Sequence, residues 1–259
     1  MNGNANANVL NYRHLIKKIA ISDFKLRYKN TVLGFFWSLL EPLLMLVVLY
    51  VVFTNLMRMR VEHYQLFLLM GIVSWDFLAK GTGMSLNCIL GKPGLVKHVY
   101  FPREVLVISS CITAFMMAML EFLVFALFMV FFKVIPGLTV IYFPFILCIE
   151  FILILGLSFG LGALNVYYRD IQYIWAVVLQ AGFFAAPIIY PMSILPPKIA
   201  SVIMLNPMTR IIGMFRDSVI YNTQLTVMDV SYALAFALIL LAVGYLIFRR
   251  FEPRLAEEM

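Results

Sequence analysis

The chain has 259 residues, 63% of them hydrophobic and 13% charged, with a net charge of +7. Soluble domains run roughly 45–50% apolar and about 25% charged, and soluble monomers rarely expose the apolar patches this composition demands. A disordered chain is excluded by 23 Phe, 13 Tyr and 3 Trp, so with a mean hydropathy of +0.95 the sequence describes a polytopic membrane protein.

Residues 1–30 are polar and basic, without the apolar core or small-residue cleavage site of a signal peptide. Within them Val9, Tyr12, Leu15, Ile16 and Ile19 share a helical stripe, while Arg13, Lys17, Lys18 and Lys25 fall off it. That pattern predicts an amphipathic helix lying in the membrane interface, its cations toward anionic headgroups.

A spanning helix needs about 20 predominantly apolar residues. Six stretches qualify: 33–56, 64–86, 105–132, 141–164, 171–190 and 230–248. The expected fold class is therefore all-α, with six transmembrane helices; the alternating ten-residue segments of a barrel are missing from the sequence. The first span carries Glu41 before Pro42, and the second carries Asp76 and Lys80 four residues apart, on one helix face. The loop 87–104 is punctuated by Gly91, Pro93, Gly94 and Pro102, with one or two helical turns expected over 95–100. Glu121 and Glu150 lie in the third and fourth spans. The fourth also holds Gly156 and Gly160 in a G-x-x-x-G pattern extended by Gly162, which suits close helix packing within the chain or a dimer seam.

After the fifth span Pro187, Pro191, Pro196 and Pro197 crowd together, and residues 199–205 are apolar but too short to cross. Asn206-Pro207 has the form of a cap and first helical position, opening a helix that runs to about Tyr221. These pieces predict a re-entrant or interfacial helical hairpin before the last span.

With both termini on one side, Lys and Arg orient the chain. The segments assigned to the cytoplasm hold Arg13, Lys17, Lys18, Lys25, Arg27, Lys29, Lys92, Lys97, Arg103, Arg169, Arg249, Arg250 and Arg254. The outer ones hold Arg58, Arg60, Lys133, Lys198, Arg210 and Arg216. This follows the positive-inside rule in a cytoplasmic (inner) membrane, and basic residues split among loops make no nucleic-acid face.

Asp76, Lys80, Glu121 and Glu150 form the set from which an ion-coupled secondary transporter would be built; mutual neutralisation of Asp76 and Lys80 is the structural alternative. Cys88, Cys111 and Cys148 lack metal-ligand spacing and suit buried apolar positions. The sequence has no Walker phosphate loop, since Gly91-Lys92-Pro93 lacks the upstream glycine and the hydroxyl residue. Neither a catalytic motif nor a cofactor site is expected in this chain. Aromatic groups at Phe35 and Trp37, at Trp75, and at Phe183, Phe184 and Tyr190 suit either interfacial belts or a glycan-lining wall.

Four patterns in order carry a resemblance. They are Leu26-Arg27-Tyr28 with Thr31, Leu33-Gly34, Trp37 and Glu41-Pro42; Gly94-Leu95-Val96-Lys97 with Val99 and Phe101-Pro102-Arg103-Glu104; Asn165 with Tyr168-Arg169-Asp170-Ile171; and Pro187-Ile188 and Tyr190, then Leu195-Pro196 and Asn206-Pro207. Together, along nearly the whole chain, they resemble the permease subunits of type-2 ATP-binding-cassette polysaccharide exporters.

The resemblance implies a homodimer paired with two copies of a separate ATPase that binds ATP and Mg. It implies an interface helix over 1–30, a transmembrane domain over 31–251 and a cytoplasmic tail over 252–259. Gly94, Leu95, Lys97, Phe101, Pro102, Arg103 and Glu104 would form the ATPase-coupling loop. Pro191, Pro196, Pro197, Asn206, Pro207 and Arg210 would belong to outer gate helices over 191–221. The substrate would be a polyprenyl-diphosphate-linked polysaccharide, O-antigen before capsule or teichoic acid, with Arg27, Lys29 and Arg169 as diphosphate donors.

Overall fold

The computed structural model describes residues 3–29, 31–56, 61–98 and 101–254, with side chains over 12–29, 31–34, 36–54, 61–95 and 101–253. The side chains of Val9, Phe35, Val96 and Lys97, and all of Arg58, Arg60 and Val99, lie outside the described residues.

Among the described residues ten α-helices follow one another: α1 (Gly3–Tyr28), α2 (Trp37–Val51), α3 (Tyr64–Leu86), α4 (Pro93–His98), α5 (Glu104–Phe131), α6 (Phe143–Tyr167), α7 (Ile171–Ala185), α8 (Pro197–Ile203), α9 (Pro207–Val219) and α10 (Val227–Phe251). No strand occurs among the described residues. Among the described residues five helical stretches, built on α2, α3, α5, α6 and α10, are long and apolar enough to cross a membrane. In α2 the helix runs through buried Pro42 and ends in a π-turn over Val52–Leu56.

The fifth predicted span is shorter than expected. Instead of 171–190, α7 ends at Ala185 after 15 residues, a rise of about 22 Å against a hydrocarbon core about 30 Å thick. The cause is Pro187. Its ring drives the residue before it out of the helical region, and Ala186 sits at φ −77°, ψ 147°. Residues 186–189 continue as buried irregular chain, a backbone form tolerated at membrane depth when protein covers it. The Tyr64 hydroxyl donates to the Ile189 carbonyl at 2.8 Å and holds this segment against α3.

The bundle is organised around α3, whose spanning window is 78% buried, against 22% for α2 and 17% for α10. The larger core joins Leu66, Leu69, Ile72 and Phe77 of α3 to α5, α6 and α9. A second core, at the end that holds α4, gathers Cys88, Ile89, Phe101, Val105, Phe159 and Phe248. The apolar stripe of α1 covers this second core through Tyr12, Leu15, Ile16 and Ile19. The predicted stripe therefore packs on protein, with Arg13, Lys17, Lys18 and Lys25 exposed beyond it.

Along α6 and α10 the backbones meet. A Cβ at Gly244 would stand 1.9 Å from the Gly156 carbonyl oxygen, and one at Gly156 would stand 2.5 Å from the Leu241 nitrogen. The G-x-x-x-G pattern thus serves packing inside the chain. Beyond α7, a 3₁₀ turn (Met192–Ile194) leads to α8, which has no buried residue. The Asn206 side chain then accepts from the Met208 amide at 3.0 Å and Pro207 fills the first position, the start signal legible in the sequence. The face of α9 made by Met208, Ile211, Ile212, Phe215 and Val219 is buried against the core.

Candidate functional site: a membrane cavity with a charged wall

The helices leave a cleft of about 1000 Å³ beside α3. Its walls come from the end of α1 (Arg27, Tyr28), from α2 (Trp37, Ser38, Glu41, Met45, Val48), from α3 (Ile72, Trp75, Asp76, Ala79) and from α7 (Leu179, Gln180, Phe183, Phe184), with Met117 of α5 behind. Side-chain spacing explains the lining. Trp37, Glu41, Met45 and Val48 recur every three or four residues on one face of α2, and Ile72, Trp75, Asp76 and Ala79 share one face of α3 at i, i+3, i+4 and i+7. Trp75 meets Phe183 edge to face, with ring centroids 6.3 Å apart, and Phe183 meets Phe184 at 5.4 Å. Gly182 makes room for this cluster, since a Cβ there would lie 2.7 Å from the Trp75 ring. Of the aromatics predicted as a set, Trp37, Trp75, Phe183 and Phe184 share the cleft. Tyr190 does not line it, and its hydroxyl donates to the carbonyls of Phe184 and Ala185.

Behind this wall one ammonium serves three carboxylates. Lys80 Nζ lies 2.8 Å from Glu121 Oε1, 3.0 Å from Glu41 Oε2 and 3.4 Å from Asp76 Oδ2. The Lys80 side chain is 11% exposed and that of Glu121 is fully buried, whereas the Glu41 side chain is 62% exposed into the cleft. Desolvation of charge at this depth is costly unless partners converge, and the three acids come from α2, α3 and α5. The i, i+4 spacing predicted Asp76 with Lys80. Glu41 and Glu121 as their partners are set by packing between helices, which spacing within one helix does not encode. Glu150 stands apart from the set. It is fully buried in α6 with no hydrogen-bond partner for either oxygen among the described residues.

The predicted coupling loop divides into two parts. Gly94 on α4 is exposed, and a Cβ there would meet nothing within 4 Å; Leu95 packs on the second core. At the other end Phe101 is buried, Arg103 Nη1 donates to the Glu252 carbonyl at 2.6 Å, and Glu104 accepts from the Tyr245 hydroxyl at 3.1 Å. Phe101, Arg103 and Glu104 thus fasten the loop to α10, with half-buried Pro102 between them. The loop is also tied to α1, because Lys92 pairs with Asp23.

The three cations predicted as diphosphate donors are all exposed but not gathered. Arg27 lines the cleft, Lys29 borders a smaller hollow at the end of α1, and Arg169 lies on the α6–α7 turn, outside the lining of both. Of the gate residues, Asn206 and Pro207 begin α9, and Arg210 pairs with Asp229 while stacking 4.2 Å from the Tyr232 ring. Pro191, Pro196 and Pro197 shape the exposed turn and start of α8. Cys88 and Cys111 are buried as expected, and burial pushes the Cys88 thiol up to about 12. Cys148 corrects the sequence reading by facing outward from α6.

Sequence reasoning also missed Arg216, which reads as one more outer cation. It is 4% exposed, and its guanidinium donates to the carbonyls of Phe67, Pro187 and Ile188 at 2.6–3.1 Å over the Phe67 ring. The available signal was position: residue 216 falls one turn after Ile212, on the apolar stripe of α9.

Several spanning helices, a broken segment and a cleft beside α2 and α7 define a polytopic, all-helical membrane protein. Residues 14–220 match the ABC-2 type transporter family, and the chain belongs to that family. It is 30% identical over 248 residues, 94% of each chain, to an O-antigen export system permease protein RfbA of Klebsiella pneumoniae. It is 29% identical to an RfbA of Myxococcus xanthus, covering 86% of each chain. Its identity to the polysialic acid transport protein KpsM of Escherichia coli is 22%, over 92% of this chain and 93% of the other.

Proposed function

We propose that this chain is the permease half of an ATP-driven exporter that moves a polyprenyl-diphosphate-linked polysaccharide, O-antigen by kinship, across the cytoplasmic membrane. The carrying observation is the aromatic-walled cleft of about 1000 Å³ in a chain of the ABC-2 type transporter family. A sliding polymer needs contacts that are weak and tolerant of register. Trp37, Trp75, Phe183 and Phe184 offer flat faces to sugar C–H surfaces without a deep pocket that would trap one residue.

The rest of the reading follows from this one. Two copies of the chain close the conduit, with both termini in the cytoplasm and two copies of a separate ATPase below. That partner binds ATP and Mg, and this chain supplies no cofactor site. The α4 helix docks on the ATPase through exposed Gly94 and through Lys97. Its motion passes through Leu95, and through Lys92 and Asp23, to α1, which borders the cleft with Arg27. Arg27, Lys29 and Arg169 meet the lipid diphosphate at the inner surface, as charge-assisted donors do. On the outer side, α8 and α9 with Pro191, Pro196, Pro197, Asn206, Pro207 and Arg210 form the gate, and Tyr190 marks its base.

Gly94→Trp tests this directly. Because a side chain at Gly94 meets open space, the variant should accumulate and melt as the wild type does. It should nonetheless lose copurification with the ATPase and lower surface polysaccharide at least tenfold. Export and copurification that both survive Gly94→Trp and Lys97→Glu would overturn the coupling assignment.

A further inference from the structure

The charged wall of the cleft, beyond its aromatic faces, selects the class of glycan. Lys80 can cancel one of the carboxylates of Glu41, Asp76 and Glu121, because it is the ammonium all three share. The second oxygen of Glu121 is buried with no partner among the described residues, so the acids outnumber what Lys80 can satisfy. The arrangement is also directional. Glu41 and Asp76 line the cleft, whereas Lys80 is not a lining residue and lies behind them. Arg27, the cation that lines the cleft among the described residues, comes from the last turn of α1 and forms no ion pair with Glu41 or Asp76 there. With Lys80 charged, the set becomes positive only if all three acids hold protons, and Glu41, 62% exposed, is the most easily hydrated of them.

We infer that the cleft accepts glycans without repeating anionic groups, neutral or amino-substituted, and rejects polyanionic ones. This rests on the glycan-conduit reading above and adds the substrate's charge to it. Neutral sugars bring hydroxyl donors, for which the Glu41 and Asp76 carboxylates are strong acceptors. A glycan with a carboxylate or phosphate on each repeat meets like charge at Glu41 and Asp76, while Lys80 lies behind them and outside the lining. Like-charge juxtaposition rejects wrong partners without requiring tight binding of the right one.

The test uses the full chain in phosphatidylcholine nanodiscs, in a Trp175→Phe background, so that Trp37 and Trp75 in the cleft report binding by fluorescence. The probes are neutral heptasaccharides of glucose, mannose and galactose, and an α2,8-linked sialic acid heptamer. At low salt the wild type should bind at least one neutral probe on the order of tenfold or more tightly than the sialic acid heptamer. In E41Q/D76N, which keeps the Lys80–Glu121 pair, the sialic acid heptamer should bind more tightly than it does to the wild type and neutral binding should weaken with loss of the carboxylate acceptors, so that the gap shrinks below about threefold. High salt should also narrow the gap, through screening at these partly exposed groups.

Equal binding of neutral and anionic probes by the wild type overturns the charge inference and leaves the conduit reading standing. So does a gap unchanged in E41Q/D76N. Failure of every probe to reach the cleft overturns the conduit reading itself.

Discussion

A buried guanidinium needs acceptors for its N–H groups, and Arg216 finds them on the Pro187 and Ile188 carbonyls freed where the chain breaks after α7, and on the Phe67 carbonyl of α3. Gly71 leaves the space it occupies, since a Cβ there would lie 2.6 Å from Nη2. Arg216→Met should therefore orphan the buried Pro187 and Ile188 carbonyls at about 1–3 kcal/mol each, lowering Tm in detergent on the order of 10 °C. Gly71→Ala should cost less, because the far end of a side chain yields before backbone does. A melt of Arg216→Met within about 2 °C of wild type would remove the Arg216 cradle as a structural element. Lys80 makes a second residue-scale case. Lys80→Met should cost roughly 3–5 kcal/mol, because it leaves Glu121 buried and uncompensated. Adding Glu121→Leu should restore most of that loss in a double-mutant thermal melt, whereas adding Glu41→Gln should restore little, Glu41 being hydrated already. The two cases differ in legibility. Asp76 and Lys80 lie one turn apart and can be paired from the sequence. The acceptors of Arg216 sit 28 to 149 positions away and become visible only when α3, α7 and α9 are assembled.

At the scale of elements, what was legible depended on length and on local punctuation. The second span came out at 64–86 as read, because a long apolar run bounded by polar loops has few alternatives. The start of α9 was legible from Asn206-Pro207 for a local reason, a cap and a preset φ. Pro187 was equally visible, yet the apolar run through Ile189 and Tyr190 masked its effect. Hydropathy measures the environment a segment prefers, while the proline rule decides whether it is helical there. The glycines of α6 were legible as a packing face, but their partner was not. That partner is Gly244, a lone glycine in α10 whose meaning appears only against the Gly156 carbonyl. This seam yields a sharp contrast. Gly244→Val should prevent α6 and α10 from closing, reducing the folded yield in membranes severalfold. Gly160→Ala, where the nearest atom to the new Cβ is 3.7 Å away, should behave as wild type within about 1 kcal/mol. Equal yields for the two variants, measured by fluorescence-detected size exclusion, would mean that the close approach does not limit folding.

Across the whole molecule, the two sides of the bundle differ in what they leave uncovered. On one side α10 lies over α6 and α9 and takes no part in the cleft. On the other, α2 and α7 flank the cleft and expose Leu44, Val47 and Val48, and Tyr173, Val177 and Val178. Lipid tails are as apolar as these side chains, so exposure alone does not drive association. The cleft supplies the reason, since Glu41 and Asp76 facing lipid would each cost about 2.5–3.5 kcal/mol at the bilayer centre. A second copy related by a twofold axis alongside the cleft would enclose both acids within protein and water, and twofold closure is the commonest solution for identical chains. Residues near such an axis meet their own counterparts, which makes the arrangement measurable by cysteine cross-linking in native membranes. Cys148 is exposed and is replaced by Ser first, while Cys88 and Cys111 are buried and remain. In that background Val48→Cys on α2 should form a disulfide-linked dimer under mild oxidation, and Val178→Cys on α7 should do so if the axis lies nearer that helix. Val243→Cys on α10, as exposed as Val178 at 47%, should stay monomeric. Cross-linking through Val243 in preference to both would put the second copy on the opposite face and leave the cleft open to lipid.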